Sequence, residues 1–430
     1  MPLTPQPFVE HPNLRVPISL IVDDPAPCIN PLWYFRHQVD GQSEPVYPRT
    51  IPLSFMDSWC QFVSDSGVRG DFTILPYPAG LGRIDQGLEG FDTEEVRAWL
   101  RLAREAVTSQ FDIHCEILTH TRALDLPTGR LLPQSEHEWT DVQNQETLTD
   151  YFAAAMQILG DAGVPNHGLT QPCFYRADEA VYARALLAAE KRVNGRRVTH
   201  NFLHMDSVAP IVPPRVTFLD EAAGEAVVSV WTGTDDEVWN TQEPGSLEQT
   251  QSPETLADRL ITADGLGGRL AALKRGGGPL VFVTHWQSLF SSGAGLGLRV
   301  HQEVARRVAS LWGRDVEWSK LSDMSRRFLA ARTTQWEVSA TVGAVELTVS
   351  CPFDTDVLTL SVPTPWPLYQ SPRVEVDGAP SAQAADAAHL QSGGWLMRGS
   401  LVTVSLPLAA NTPARIVIRA EGAPAPSPAA

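Results

Sequence analysis

The sequence lacks any run of about 18 continuous apolar residues, the length a membrane-spanning helix needs, so no span is expected. Its first fifteen residues are polar and Pro-rich, with no basic stretch leading into an apolar one, so a standard secretory signal is not expected either. Cysteine is scarce. Cys28, Cys60, Cys115, Cys173 and Cys351 are odd in number, widely spread and free of any C-x-x-C pair. That pattern predicts free, mostly buried thiols in a reducing compartment, and a cytoplasmic setting is the expectation. Basic charge is short as well: 33 Lys and Arg face 50 Asp and Glu, a net charge of -17. Nucleic acid and anionic membrane surfaces both need a basic footprint, so neither is expected as a partner. Several signatures are missing too. Gly293-Ala-Gly-Leu-Gly297 is not G-x-G-x-x-G, and there is no G-x-x-x-x-G-K-[ST], no G-x-S-x-G elbow and no H-E-x-x-H.

What is present is a chain of 430 residues, more than one hydrophobic core usually organises, with an ordinary 43% of hydrophobic and 19% of charged residues. From residue 16 to about 330, short apolar runs alternate with amphipathic stretches. Strands are predicted at Pro17–Val22, Gly70–Leu75, Cys115–Thr119, Val198–Met205, Val227–Trp231 and Pro279–Thr284. Between them the spacing predicts helices over Ser54–Ser66, Thr93–Phe111 (capped by Thr93), Glu146–Ala162, Glu179–Val193, Pro253–Arg275 and Leu298–Trp312. Strands joined by helices pair in parallel through crossovers. About seven such units without a dinucleotide fingerprint predict an α/β fold, a (β/α) barrel spanning 16–332 behind an N-terminal arm of 1–15. In such a fold, function collects at the C-terminal ends of the strands. After Arg332 the pattern changes to period two, in six runs from Trp336–Val342 to Ala414–Ile418 separated by turns. This predicts a β-sandwich over 333–421, followed by a disordered tail at 422–430.

Three strand ends carry reactive groups. Asp23-Asp24 follows the first strand directly, and adjacent carboxylates there can divide labour between holding a cation and acting as a general base. His120 follows the Cys115–Thr119 run, with Asp125 near enough in sequence to add an oxygen. His285 ends the most apolar strand, beside Trp286, where burial can tune an acid. Other candidates for contacting a polar substrate are Tyr77, Arg83, His204, Asp206, Asp235, Asp236 and Trp239. The last three form an acidic-aromatic loop suited to sugar, since aromatic faces stack on sugar C–H surfaces while carboxylates grip hydroxyls. Trp33 and Trp286 are further stacking candidates. Asp23 with Asp235 would alternatively suit a glycoside hydrolase using paired carboxylates. A sugar-binding protein without catalysis is a third reading.

Taken together, Ile18-Ser-Leu-Ile-Val-Asp23-Asp24, Gly67-Val-Arg-Gly-Asp-Phe-Thr-Ile74, Glu116-Ile-Leu-Thr-His120-Thr and Val281-Phe-Val-Thr-His285 resemble motifs of the polysaccharide deacetylases (the NodB-homology family). The resemblance runs over about residues 16–290. It implies a metal-dependent carbohydrate hydrolase that removes an acyl group from a sugar, with Asp23 as base, His285 as acid, and Asp24 and His120 holding a divalent metal ion, zinc foremost. Two departures stand out. Leu124 occupies the place of the family's second motif histidine, and Thr170-Gln-Pro-Cys-Phe-Tyr175 lacks the usual arginine. Asp125, His114 or water would then complete the metal shell, and Arg83 or Arg176 would orient the base. The sequence leaves the individual substrate and the oligomeric state open.

Overall fold

The computed structural model describes residues 5–28, 50–341, 343–366 and 372–420, in two compact units. Trp33, Val342 and the tail over 422–430 lie outside the described residues. One unit comprises 18–220 and 225–325, the other 1–17, 221–224 and 326–430.

The larger unit is a mixed α/β fold around one sheet. Its strands in chain order are β1 (Val16–Asp23), β2 (Gly70–Ile74), β3 (Phe111–Glu116), β4 (Leu169–Thr170), β5 (Val198–Phe202), β6 (Arg215–Asp220), β7 (Glu225–Ser229) and β8 (Leu280–His285). They lie side by side in the order β8-β1-β2-β3-β4-β5-β7-β6, with Val316–Trp318 added against β1. Every neighbouring pair along this path is parallel except β7 with β6. Helices α1 (Leu53–Ser66), α2 (Thr93–Glu105), α3 (Glu136–Thr140), α4 (Gln145–Asp161), α5 (Glu179–Val193), α6 (Arg269–Gly276) and α7 (Leu296–Trp312) fill the connections. No ladder joins β7 to β8 among the described residues. The two strands meet instead through the turn after β7, where Gly233 N–H donates to the Val281 carbonyl at 2.8 Å and Val283 N–H to Thr234 Oγ1 at 3.3 Å. The barrel expectation thus resolves into an α/β sheet in which the turn after β7, the strand next to the β6 edge, reaches the β8 edge.

The two faces of this sheet differ in chemistry. One packs under helices: Phe72 stacks with Trp59 of α1 and Trp99 of α2, and Trp286 meets it edge-on. The opposite face carries Asp23, Asp71, Thr73, Asp112, His114, Glu116, Thr170 and His200, all buried. Strand β3 shows how one sequence serves both, because Phe111, Ile113 and Cys115 alternate with Asp112, His114 and Glu116.

Three local expectations need correction. The third strand is Phe111–Glu116 rather than Cys115–Thr119, because its inward residues are polar and mask it from an apolar search. Helix α2 stops at Glu105, and its cap is Asp92, whose carboxylate accepts from Glu94 and Glu95 N–H, rather than Thr93. The helix expected over Pro253–Arg275 is two pieces, Pro253–Ala257 and α6. Gly268 explains the break, since it sits at φ +86° and a Cβ there would fall 2.5 Å from the Leu260 carbonyl.

The smaller unit contains two five-stranded sheets. One orders Phe8–Val9, β11 (Thr355–Pro363), β14 (Leu401–Leu408), β13 (Gly394–Arg398) and Ala382–Gln383. The other orders β9 (Gln335–Ala340), β10 (Ala344–Ser350), β15 (Ala414–Arg419), β12 (Arg373–Val376) and Ala379–Pro380. Their alternating sequence buries Val345, Leu347 and Val349 of β10 and Val402, Val404 and Leu406 of β14. Residues of the N-terminal arm therefore enter this β-rich unit: Phe8 and Val9 pair with Ser361 and Leu360. No helix among the described residues is long and apolar enough to cross a membrane.

Candidate active site

Asp23 is the last residue of β1 and lies opposite His285, the last of β8, so the parallel register alone sets an acid beside an imidazole. The chain then turns sharply at Asp24, which adopts φ +63°. The turn is fixed from below: Asp24 N–H donates to Glu116 Oε2 at 3.0 Å, and the Thr73 hydroxyl donates to Asp23 Oδ1 at 2.7 Å. The Gln287 amide donates to Asp24 Oδ2 at 3.1 Å.

His120 lies four residues beyond β3, in a loop that it enters at φ +57°. Glu136, buried at the start of α3, holds that loop. Its carboxylate accepts from the N–H groups of Leu118, Thr119 and His120 (3.2, 3.0 and 2.7 Å) and from the Tyr151 hydroxyl at 2.6 Å. This clamp aims His120 Nε2 to within 3.0 Å of Asp24 Oδ1 and 2.8 Å of Glu116 Oε1.

Two carboxylates and an imidazole nitrogen thus converge in a buried spot, with Asp23 adjoining it. Burial and the neighbouring Asp23 and Asp24 charges push the Glu116 carboxyl well up. Burial and then the Asp24 charge push Asp23 up to about 6. Burial acts the same way on Asp24, but the charge and hydrogen bond of His120 outweigh it and hold that carboxyl far below the usual range. Crowded buried carboxylates of this kind need a compensating positive charge. Protonated His120 supplies it here, and a divalent ion held by the neutral ring would supply it in its place. The two oxygens and one nitrogen are donors that a divalent transition ion accepts. Asp24, Glu116 and His120 therefore fit a metal, with Glu116 in the third place.

The second half of the site is an imidazole with its own support. Asp236 Oδ2 accepts from both the backbone N–H and Nδ1 of His285, each at 2.9 Å. That leaves Nε2 facing Asp23 Oδ2 at 3.8 Å. Trp239 closes one side, its ring centroid 4.5 Å from the imidazole and nearly perpendicular to it. Burial alone would lower the His285 pKa, but the Asp236 bond and charge, with Asp24 and Asp23 behind them, push it up to about 9. The side chains of His285 and Asp23 retain 17% and 11% of their surface in solvent, whereas Asp24 keeps 1%. The Asp23–His285 edge is thus the part of the cluster that solvent reaches.

Other predicted residues lie elsewhere. Asp125 is not a ligand: it closes the turn between Arg122–Asp125 and Arg130–Ser135, where its carboxylate accepts the Thr128 hydroxyl. Leu124 is buried, its N–H donating to the Tyr151 oxygen at 2.9 Å. Trp286 is fully buried against Phe55, Trp59 and Phe72, a core residue with no face for a sugar. Arg83 spends its guanidinium on Asp85 (2.9 and 2.8 Å) and Asp161 (2.6 Å), and Arg176 lies over the Phe174 ring at 4.0 Å. His204 packs on Trp231, with Nε2 3.7 Å from Glu179. Asp206 caps the N–H groups of Val208 and Ala209, and Asp235 is exposed. Tyr77 stays beside the site, its N–H donating to the Leu118 carbonyl of the His120 loop at 2.8 Å. Asp236, expected to grip sugar, is committed to His285. His114 belongs to a different cluster.

Sequence reasoning missed Glu116, Thr73, Glu136 and Gln287. Glu116 had a signal, its four-residue spacing to His120. The other three act through bonds that no local pattern reports.

No family model and no curated protein matches the sequence. Among solved structures, a putative polysaccharide deacetylase from Mycobacterium smegmatis aligns with 79% of this chain and 99% of its own, at 15% identity and a TM-score of 0.46. A mutant of a CE4 family pseudoenzyme aligns with 75% of this chain and 71% of its own, at 10% identity and a TM-score of 0.34. An α-fucosidase from Thermotoga maritima aligns with 96% of this chain and 97% of its own, at 10% identity and a TM-score of 0.31.

Proposed function

We propose that the chain is a metal-dependent hydrolase of the polysaccharide deacetylase kind, which removes an acyl group from a carbohydrate. The observation that carries this reading is the pairing of a cation-ready cluster (Asp24, Glu116, His120) with an acid–base pair (Asp23, His285) at adjoining strand ends. A divalent ion, zinc foremost, would polarise the acyl carbonyl and lower the pKa of the attacking water.

The protein's own residues supply the proton steps. Asp23 needs to be ionised to accept a proton from water, and its pKa near 6 makes it a far better acceptor than an ordinary carboxylate while leaving it charged at neutral pH. The Thr73 hydroxyl on Oδ1 leaves Oδ2 turned toward His285. His285, protonated below about 9, donates from Nε2 to the departing oxygen or nitrogen while Asp236 holds Nδ1 and fixes the ring. Trp239 at the mouth gives a sugar ring an apolar surface. Asp235 is exposed, and Asp236 is already bonded to His285, so the geometry favours this division of labour over paired carboxylates.

The test is acetate release from N-acetylated and O-acetylated sugar oligomers by chain purified without chelator. Loss of activity on chelation and recovery with Zn or Co is the expected result. Asp23→Asn should lower kcat by about 100-fold or more, as removal of a general base does. Full activity in Asp23→Asn, or activity indifferent to chelation, overturns the reading.

A further inference from the structure

A second group of metal-type ligands lies on the same polar face, two to four residues further down the strands from the candidate site, or about 7–13 Å. On β2, Asp71 precedes Thr73; on β3, Asp112 and His114 precede Glu116; His200 comes from β5, and His167 from the turn before β4. His114 Nε2 and His200 Nε2 face one another at 2.8 Å. Asp112 Oδ2 is 3.9 Å from His200 Nε2, and Asp112 Oδ1 is 3.3 Å from His167 Nε2. Asp71 Oδ2 lies 2.6 Å from Nδ1 of His114, on the side of the ring away from His200.

Hydrogen bonding within the protein satisfies this group only in part. One proton serves the His114–His200 pair, and Ser322 N–H donates to Asp112 Oδ2 at 2.7 Å. His167 Nε2 is buried and faces Asp112 Oδ1 without an aligned hydrogen bond. The backbone also makes room for the cluster. Gly168 sits at φ +83°, and a Cβ there would fall 2.2 Å from His114 Nε2, so any other residue would drive that ring away from His200.

We propose that His200, Asp112 and His167 form a second, interior metal site for a zinc-class divalent cation, with His114 and Asp71 lining its inner side. Two imidazole nitrogens and one carboxylate oxygen, with water in the fourth place, make a tetrahedral donor set that zinc and cobalt accept. His167 keeps 14% of its side chain exposed, which gives an ion a way in from the N-terminal ends of the strands, opposite the catalytic edge.

The site can be read without reference to activity. The variant Asp24→Asn/His120→Gln removes donors from the candidate active site and leaves the interior group whole. After stripping and titration with zinc it should still bind about one equivalent per chain, and with cobalt it should show the visible bands of a tetrahedral ion. Adding either His200→Gln or His167→Gln should abolish both signals and the rise in Tm that zinc produces. His167 lies at the edge of the cluster, so its substitution serves if the His200 variant does not fold. Less than about 0.2 equivalents bound by the folded Asp24→Asn/His120→Gln chain overturns the proposal, as does binding unaffected by His167→Gln. The active-site reading fails separately, if wild-type chain binds no more metal than Asp24→Asn/His120→Gln.

Discussion

Asp24 and His120 both hold a backbone conformation that side-chain-bearing residues rarely adopt, with φ of +63° and +57°. Each costs on the order of 1 kcal/mol, a strain that persists only where surrounding bonds enforce it. At His120 the enforcing group is Glu136. Replacing it by Gln keeps the shape but leaves one accepting oxygen, so an NH2 group faces either the His120 N–H or the Leu118 N–H, which then lacks an acceptor. Glu136→Gln should weaken zinc binding at the candidate site by about 10–100-fold, the usual effect of losing an outer support, measurable by competition with a chromogenic chelator. Unchanged affinity would show that the His120 loop holds itself. The sequence reveals Asp23, Asp24 and His285 because each directly follows an apolar strand run. Glu136 escapes because its partners are backbone amides sixteen to eighteen residues away, invisible to any side-chain pattern.

At the scale of elements, regular period-two and helical spacing predicts most strands and helices, and it fails where polarity is inverted. Strand β3 buries Asp112, His114 and Glu116, so a search for apolar runs slides past it to Cys115–Thr119. The same inversion hides the interior histidine cluster. Elsewhere a charge substitutes for a core side chain. Arg307 of α7 is 3% exposed and binds Glu303 at 2.7 Å, Asp258 at 2.6 Å, and the carbonyls of Ile261 and Glu254. Those bonds tie α7 to the Pro253–Ala257 helix and to the chain that follows it, the stretch where the long helix expected from the sequence is broken. Arg307→Met removes the charge with little loss of volume and strands the carbonyls and carboxylates that it served. A loss of about 2–4 kcal/mol in unfolding free energy is expected, read by urea denaturation with an unchanged m-value. A loss below about 0.5 kcal/mol would mean that water replaces the guanidinium at no cost.

Over the whole molecule, the net charge of -17 and the crowding of buried carboxyls on one sheet face act in the same direction. Compaction concentrates negative charge, and a bound cation relieves it where it is densest. The pH dependence expected of the proposed hydrolysis follows from the two shifted groups. Activity should fall below about 6 as Asp23 gains a proton and can no longer accept one, and above about 9 as His285 loses the proton that it donates. A bound cation favours ionised Asp23, so the acidic limb should lie lower in loaded enzyme than in the metal-free form titrated by NMR. Metal also acts on stability, since an ion that binds only the folded chain adds about 2.7 kcal/mol when present at about 100 times its Kd. For a unit of about 300 residues that corresponds to about 4 °C in Tm. Chelation should therefore lower Tm by about that amount, and zinc should restore it. In Asp24→Asn the shift should be smaller, because a ligand is lost and one buried charge no longer needs relief. A Tm that chelation leaves unmoved in wild type would mean that the polar face carries its charge without an ion, and both metal assignments would then fall together.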